Sequence, residues 1–240
     1  MKPKEWDKIA KNYFEELSSP FSKGMNSKLA KAIGKGSSVI DLGTGIGNLL
    51  NFLSQNFKQV LAVDFSEEML KIAKKNNKAK NIIFKKEDIT NVKVNKEFDV
   101  TVAINSILMP SIIKSEKAMK EAYRLTKKGG KFVGVFPSLN SDIYRASLTF
   151  DREYEETKDE EQAIKNTKII MAHKNYDFLS GFYDNDGKQK HWFKVDLLYR
   201  LKKVGFKNIK IEKLHYAWED SPESFEGEEE LWDWMVVAEK

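Results

Sequence analysis

The stretch that decides the fold is Val39-Ile40-Asp41-Leu42-Gly43-Thr44-Gly45-Ile46-Gly47-Asn48-Leu49-Leu50. It begins as an apolar strand, passes through a glycine-rich turn and continues as a helix with leucines on one side. Glycines let the chain turn sharply, and their missing side chains let the backbone approach a ligand. The helix that follows points its free N–H groups at the same place. The pattern predicts a nucleotide-type site at the mouth of a parallel sheet.

Two details separate this turn from a dinucleotide site. The spacing is G-x-G-x-G, and Asn48 stands where the third glycine of G-x-G-x-x-G would fall. Asp41 lies two residues before Gly43, where its carboxylate would repel a pyrophosphate but suit a positively charged ligand. S-adenosylmethionine (SAM) carries such charges on its sulfonium and its ammonium group. The alternative is a structural strand–helix turn without a ligand.

Length and composition restrict the classes of protein. At 240 residues with 41% apolar residues, the chain fits one domain, or one domain with a small insertion. Cysteine is absent, which excludes disulfides, thiolate metal sites and cysteine nucleophiles. No apolar run approaches the roughly 18 residues of a membrane span, and residues 1–5 lack the apolar stretch of a signal peptide. We therefore expect a cytoplasmic protein without a membrane partner.

The charge of the chain is unevenly distributed. The net charge is +5, but residues 1–150 carry 26 Lys and Arg against 15 Asp and Glu, whereas the remaining residues carry 15 against 21. Four of the 41 cationic residues are arginine, the better phosphate ligand. A scattered lysine excess is typical of solvated helix faces. Nucleic acid is therefore not the favoured partner, although RNA is not excluded.

Two further strands end in polar residues. The apolar run 59–64 ends at Asp64, 21 residues beyond Gly43, a separation that returns the chain to the tip of the neighbouring strand. A carboxylate there can accept both ribose hydroxyls, and Phe65 can lie against the adenine. Ser66 is a good N-cap for the next helix. Residues 97–106 form a strand and its exit, apolar enough to be covered on both faces, so Asn105 and Ser106 should line the crevice at its end.

The glycine motif resembles the first motif of class I SAM-dependent methyltransferases. The helix at 194–204, Gly205-Phe206 and the strands at 207–214 and 234–238 resemble the C-terminal antiparallel hairpin of that family. The resemblance implies an α/β fold with a doubly wound, seven-stranded, mostly parallel sheet. Its strand order would be 3-2-1-4-5-7-6, with strand 7 antiparallel. We also expect a helix at 115–125 that ends in Lys127-Lys128-Gly129-Gly130, before strand 5 at 131–136.

The resemblance also implies residue roles. Asp88 would accept from the adenine amino group with Ile89 beside the ring, although a turn or cap role for Asp88 stays open. Tyr13 would approach the methionine end of SAM, with packing as the equal alternative. The residues expected to bind the cofactor are Tyr13, Asp41, Gly43, Thr44, Gly45, Gly47, Asp64, Phe65, Met69, Asp88, Ile89 and Asn105.

Residues 138–190 break the alternation of strands and helices. They contain an acidic, helical stretch, an aromatic-rich stretch and a hairpin turn at 184–187. We interpret them as a cap inserted after strand 5 into a SAM-binding domain formed by residues 1–137 and 191–240. The candidate acceptor residues are Tyr144, Arg145, Tyr176, Tyr183 and Trp192.

These features predict a SAM-dependent methyltransferase that acts on an O or N atom of a small molecule and leaves S-adenosylhomocysteine. The tetrapeptide Asn/Asp-Pro-Pro-Tyr of many amino-methylating nucleic-acid enzymes is replaced by residues 105–108, Asn-Ser-Ile-Leu. An RNA or protein methyltransferase and a non-catalytic SAM-binding module are the alternatives. A general base is needed only if the acceptor stays protonated, and His173, His191 and Tyr13 are the candidates. No spacing indicates a metal site, and nothing indicates an oligomeric state.

Overall fold

The computed structural model describes residues 25–172, 175–177, 179–184, 188–215 and 231–240. The expectations for Tyr13, His173 and the turn residues 185–187 lie outside this part of the chain, as do the side chains of Tyr176 and Tyr183. The helices are α1 (Ser27–Ile33), α2 (Leu50–Asn56), α3 (Glu67–Asn76), α4 (Ile112–Leu125), α5 (Leu139–Thr157), α6 (Glu160–Ala172) and α7 (Lys194–Val204). The strands are β1 (Gly36–Leu42), β2 (Phe57–Asp64), β3 (Ile82–Lys86), β4 (Phe98–Ile104), β5 (Thr126–Phe136), β6 (Asn175–Asp177), β7 (Phe182–Asp184), β8 (Lys188–Lys190), β9 (Lys207–His215) and β10 (Trp232–Glu239).

The central sheet has the order β3-β2-β1-β4-β5-β10-β9. The first five strands are parallel, and β10 runs antiparallel to both of its neighbours. Since β9 and β10 are the sixth and seventh strands of this sheet, the predicted order 3-2-1-4-5-7-6 is confirmed. The last five residues of both β1 and β2 are buried, because helices cover both faces of the parallel part.

Local sequence explains where α3 begins. Ser66 is its N-cap, and the Ser66 hydroxyl accepts a hydrogen bond from the Met69 N–H at 3.1 Å. Glu67 and Glu68 occupy the first turn, where the positive end of the helix dipole favours them. Together these residues fix the start of α3 directly after the tip of β2, as the sequence predicts.

The start of β5 differs from the expectation. Helix α4 ends at Leu125, as predicted, but Thr126 already has an extended backbone and begins β5, so the prediction that residues 127–130 separate the helix from a strand at 131–136 is wrong. The hydroxyl of Thr126 donates to the carbonyl of Ala122 at 2.7 Å, which satisfies a carbonyl at the end of the helix. The lysine–glycine segment instead forms three extra residues in β5, because the pairing with β4 shifts from Phe98–Thr126 to Val100–Lys131.

The segment 138–190 contains two packed helices, α5 and α6, and a small antiparallel sheet of β6, β7 and β8. Asp184 pairs with Lys188 across the predicted hairpin turn. The two ends of the segment meet, because Trp192 donates its N–H to the carbonyl of Pro137 at 2.8 Å and accepts one from Leu139 at 3.1 Å. The segment therefore leaves and re-enters the main body at one place.

A buried lysine ties this segment to the main body. Lys190 is 1% exposed, and its ammonium group lies 3.0 Å from the carboxylate of Asp196 on α7 and 2.8 Å from the carbonyl of Ser180. It also sits over the ring of Trp192 at 4.6 Å. Burial lowers the pKa of Lys190, and the Asp196 carboxylate opposes that shift.

We expect Asp196→Asn to destabilise the protein by up to about 3 kcal/mol, because it leaves the buried ammonium of Lys190 without its counter-charge. Lys190→Met removes both the charge and the need to compensate it, and should cost less than about 1.5 kcal/mol. Urea denaturation at pH 7 measures both variants. Equal destabilisation by the two substitutions would contradict this account of the pair.

Candidate functional site

A cavity of about 310 Å³ opens at the carboxyl ends of β1 to β4. β1 and β4 are neighbours here, and the chain leaves them in opposite directions, so this is the switch point of the sheet. The residues that line the cavity are Gly43, Gly45, Asp64, Phe65, Met69, Asp88, Ile89, Thr90, Ile104, Asn105, Ser106, Leu108, Met109, Pro110, Lys114 and Gln189. Strand ends and the turns behind them therefore meet in one place.

Most of the residues expected to bind a cofactor meet at this cavity. Its lining includes Gly43, Gly45, Asp64, Phe65, Met69, Asp88, Ile89 and Asn105. Three others, Asp41, Thr44 and Gly47, do not line it. Their cofactor role stays a prediction, and in the structure they belong to the framework behind the cavity wall.

The glycine turn needs its glycines for two different reasons. Gly43 has a φ of 80°, and a Cβ there would lie 2.4 Å from the Cβ of Ser106, which would block the junction between β1 and β4. Gly47 has a φ of 86°, and its Cβ would lie 2.6 Å from the side-chain nitrogen of Asn77. Gly43 therefore leaves room for Ser106 beside the cavity, whereas Gly47 lets the turn pack against α3.

The carboxylate of Asp64 is fixed by two backbone donors. The N–H of Gly45 donates to one oxygen at 2.8 Å, and the N–H of Ser66 donates to the other at 2.9 Å. Such bonds stabilise the ionised form and hold its orientation. Since a carboxylate oxygen can accept more than one hydrogen bond, Asp64 can also accept from a ligand in the cavity.

Asp41 lies behind the glycine turn and is buried. Burial raises the pKa of Asp41 to about 7, the hydrogen bond from the Thr44 hydroxyl at 2.7 Å opposes this, and the charge of Asp64 adds to it. A carboxyl group that titrates near neutral pH therefore stands behind the cavity wall. A cation bound nearby would favour its ionised form.

Asp88 has the turn role considered for it, and it also lies at the cavity. One of its carboxylate oxygens accepts from the N–H and the hydroxyl of Thr90, both at 2.8 Å, so it does stabilise a turn. Asp88 also lines the cavity, next to the buried side chain of Ile89. Contact between Asp88 and the adenine of a bound cofactor therefore stays a prediction.

The end of β4 carries polar atoms that the protein leaves unsatisfied. The side-chain oxygen of Asn105 and the hydroxyl of Ser106 are buried and have no hydrogen-bond partner among the described residues. Asn105 also has a φ of 46°, a left-handed backbone that few residues other than glycine adopt. Buried polar groups are normally paired. These atoms therefore fit a site that is completed by a ligand.

Among the acceptor candidates whose side chains the structure describes, Tyr144, Arg145 and Trp192, none lines the cavity. Trp192 is fully buried with its ring 6.0 Å from that of Phe136, so the prediction that it lines an acceptor pocket is wrong. The aromatic neighbours of Trp192 belong to the core. The sequence alone did not distinguish a core residue from a pocket residue. Tyr144 packs against the core, with its ring 5.5 Å from that of Trp232, and neither it nor Arg145 lines the cavity.

The candidate base His191 is also placed away from the cavity. Its Nδ1 lies 2.7 Å from a carboxylate oxygen of Asp142 on α5, and His191 does not line the cavity. The pair connects the end of the inserted segment to its first helix. This contact gives His191 a structural role in the described part of the chain.

Sequence reasoning missed one wall of the cavity. That wall is built by Leu108, Met109, Pro110, Lys114 and Gln189, and Thr90 is a further residue it did not predict. The segment after β4 has no regular periodicity, and Gln189 lies on a three-residue strand, so neither gives a pattern to read. The one available signal was the position of the segment directly after a strand at the switch point.

The described residues show neither a candidate metal site nor a candidate membrane-spanning helix. No group of three or more His, Cys, Asp or Glu side chains in this part of the chain could hold a metal ion. No helix in the described ranges is long and apolar enough to cross a membrane.

Residues 39–130 match a family described as a methyltransferase domain. A demethylmenaquinone methyltransferase from Chlamydia caviae is 29% identical over 151 residues, which cover 59% of this chain and 64% of that protein, slightly less than two thirds of its length.

Solved structures share the fold at low sequence identity. A SAM-dependent methyltransferase from Methanosarcina mazei has a TM-score of 0.60 with 16% identity, and covers 90% of this chain and 98% of its own. The N-methyltransferase NodS from Bradyrhizobium japonicum, solved with S-adenosylhomocysteine, has a TM-score of 0.62 with 10% identity and 98% coverage of both chains. The glycine turn and the sheet order agree with the matched methyltransferase domain, and the solved structures show that the chain has the class I, Rossmann-like methyltransferase fold.

Proposed function

We propose that this protein transfers a methyl group from SAM to an O or N atom of a small-molecule acceptor. The observation that carries the proposal is the cavity at the switch point, where Asp64, Asp88 and the unsatisfied atoms of Asn105 and Ser106 meet. A labelled-methyl transfer assay over a panel of alcohols, phenols, amines and carboxylates tests it directly.

The cavity suggests how SAM would lie. Asp64 at the end of β2 would accept from the ribose hydroxyls, and Asp88, Ile89 and Phe65 would surround the adenine. The sulfonium and the amino acid end would then extend across β1 towards Asn105 and Ser106 at the end of β4. Asp41 supplies negative charge behind this end of the site.

Methyl transfer from SAM requires little of the protein beyond orienting the methyl donor and the acceptor. SAM supplies an activated methyl group that leaves a neutral thioether. The protein needs to hold the acceptor in line with the methyl–sulfur bond and to keep water out. The apolar wall of Leu108, Met109 and Pro110 is suited to excluding water. His191 does not line the cavity and is not assigned as a base.

The cavity has the size of a small-molecule site. Its volume is about 310 Å³, and Gln189 of the inserted segment is among its lining residues. We propose on this basis that residues 138–190 form the cap of the acceptor site. One similar protein, the demethylmenaquinone methyltransferase, is named for a small-molecule acceptor. An RNA substrate would instead be revealed by a steep loss of affinity with salt.

We expect SAM and S-adenosylhomocysteine to raise the melting temperature, because a ligand that binds only the folded protein stabilises it by mass action. At 100 times the dissociation constant the stabilisation is about 2.7 kcal/mol. NAD and ATP at the same concentration serve as matched controls in a thermal-shift titration. A larger shift with NAD than with SAM would contradict the cofactor assignment.

We expect Asp64→Ala to weaken SAM binding by about 2–3 kcal/mol, because two ribose hydrogen bonds are lost. Calorimetry measures the affinity, and denaturation of the free variant separates this loss from loosening of the turn at Gly45.

Asp99→Asn is the matched control for that variant. Asp99 lies at the opposite end of β4, where it accepts from the Ser38 N–H at 2.7 Å and pairs with Lys127. This control should lower stability without changing SAM affinity. Unchanged affinity in Asp64→Ala would remove Asp64 from the site.

The raised pKa of Asp41 predicts a pH dependence of binding. In the free protein Asp41 holds its proton up to about pH 7. A bound cation favours the ionised form, so binding below pH 7 requires the loss of this proton, and affinity should rise with pH up to about 7 and then level off. Calorimetry between pH 5.5 and pH 8 measures this for the wild type and for Asp41→Asn.

The variant is essential because SAM itself titrates, and subtracting the two profiles removes that contribution. In Asp41→Asn, the affinity for SAM should change less between pH 5.5 and pH 7 than in the wild type. The variant should also bind SAM more weakly at pH 8. Identical profiles for the two proteins would show that Asp41 does not respond to the ligand.

A further inference from the structure

Asn105 is held by a buried carboxylate on a different strand. Its side-chain nitrogen donates to a carboxylate oxygen of Asp233 at 3.1 Å. Asp233 belongs to β10 and is 3% exposed, although it stands 128 residues away in the sequence. The contact joins the end of β4 to the antiparallel part of the sheet.

This contact decides which way the Asn105 amide faces. The NH₂ group of Asn105 is the donor to the carboxylate of Asp233, so the carbonyl oxygen of Asn105 faces away from Asp233. That oxygen is buried, belongs to a residue lining the cavity and has no partner among the described residues. A buried acceptor without a donor is costly, so a ligand that brings a donor is favoured.

The ligand group can be assigned from the order of the strands. If the ribose lies at Asp64 and the adenine at Asp88, the other end of SAM reaches the end of β4. That end carries an ammonium group, which is a charged donor. The carboxylate of Asp233 polarises the amide of Asn105 and makes its oxygen a stronger acceptor for such a cation.

We propose that Asp233 is a positioning residue that orients the Asn105 amide so that its oxygen accepts a hydrogen bond from the ammonium group of SAM. The inference rests on the proposed function, and it adds a residue that the glycine turn and the acidic strand tips do not reveal. Asp233 itself acts through Asn105.

Asp233→Asn tests the proposal because the new amide can donate as well as accept, so that Asn105 is free to turn its NH₂ group to the cavity. S-adenosylhomocysteine and 5′-methylthioadenosine are the probes, since the second has the same adenosine and thioether but no amino acid end. We expect the affinity for S-adenosylhomocysteine to fall about five- to tenfold, and the affinity for 5′-methylthioadenosine to stay within about twofold. Calorimetry measures both.

A double-mutant cycle separates positioning from general loosening. Asn105→Gly removes the side chain while tolerating the left-handed backbone, and should lower the affinity for S-adenosylhomocysteine selectively. Adding Asp233→Asn to that variant should cause no further loss. Asp99→Asn serves again as a carboxylate control outside the site.

Each outcome of these measurements is decisive. Equal losses for both probes, or a further loss from Asp233→Asn in the Asn105→Gly protein, would overturn the positioning role. If Asp233→Asn does not fold, an unchanged ratio of the two affinities in Asn105→Gly alone would also overturn it. Failure of the wild type to bind either probe would instead refute the proposed function.

Discussion

The structure of the site depends on the hydrogen bonds that Asp64 makes to the backbone. By accepting from Gly45 and Ser66, this one carboxylate joins the glycine turn after β1 to the start of α3 after β2. The two strand ends are thereby held in a single geometry without a bound ligand. The acid that would receive the ribose is also the acid that builds the cavity around it.

Several energetically unfavourable features lie in or beside the same cavity. Asp41 is buried with a pKa near neutral, Asn105 has a left-handed backbone, and the buried side-chain oxygens of Asn105 and Ser106 have no hydrogen-bond partner among the described residues. Each of these features costs stability, and the cost is sustained by the well-packed apolar clusters on the two sides of the sheet. Such costs are expected where a ligand supplies the missing charge and donors.

The sheet and its order were predicted through the resemblance to the methyltransferase family, which the glycine turn and the C-terminal strand pattern carry. Asp64 and Asn105 were placed at one edge because the ends of parallel strands meet there, whereas Asp88 was placed by the resemblance. The sequence misplaced Trp192, because an aromatic residue has the same appearance in a core and in a pocket. It could not predict Gln189 or the Asn105–Asp233 contact, because both depend on tertiary packing between segments that share no sequence pattern.

The close approach of Pro137, Leu139 and Trp192 has a consequence for how this protein could diversify. A segment whose ends are hydrogen-bonded neighbours can be lengthened, shortened or replaced without moving the strands on either side. If residues 138–190 form the acceptor cap, as we propose, the domain with the SAM site can stay constant while the part that contacts the acceptor changes. Selectivity for the acceptor would then be a transferable module, attached to the catalytic domain at one backbone junction.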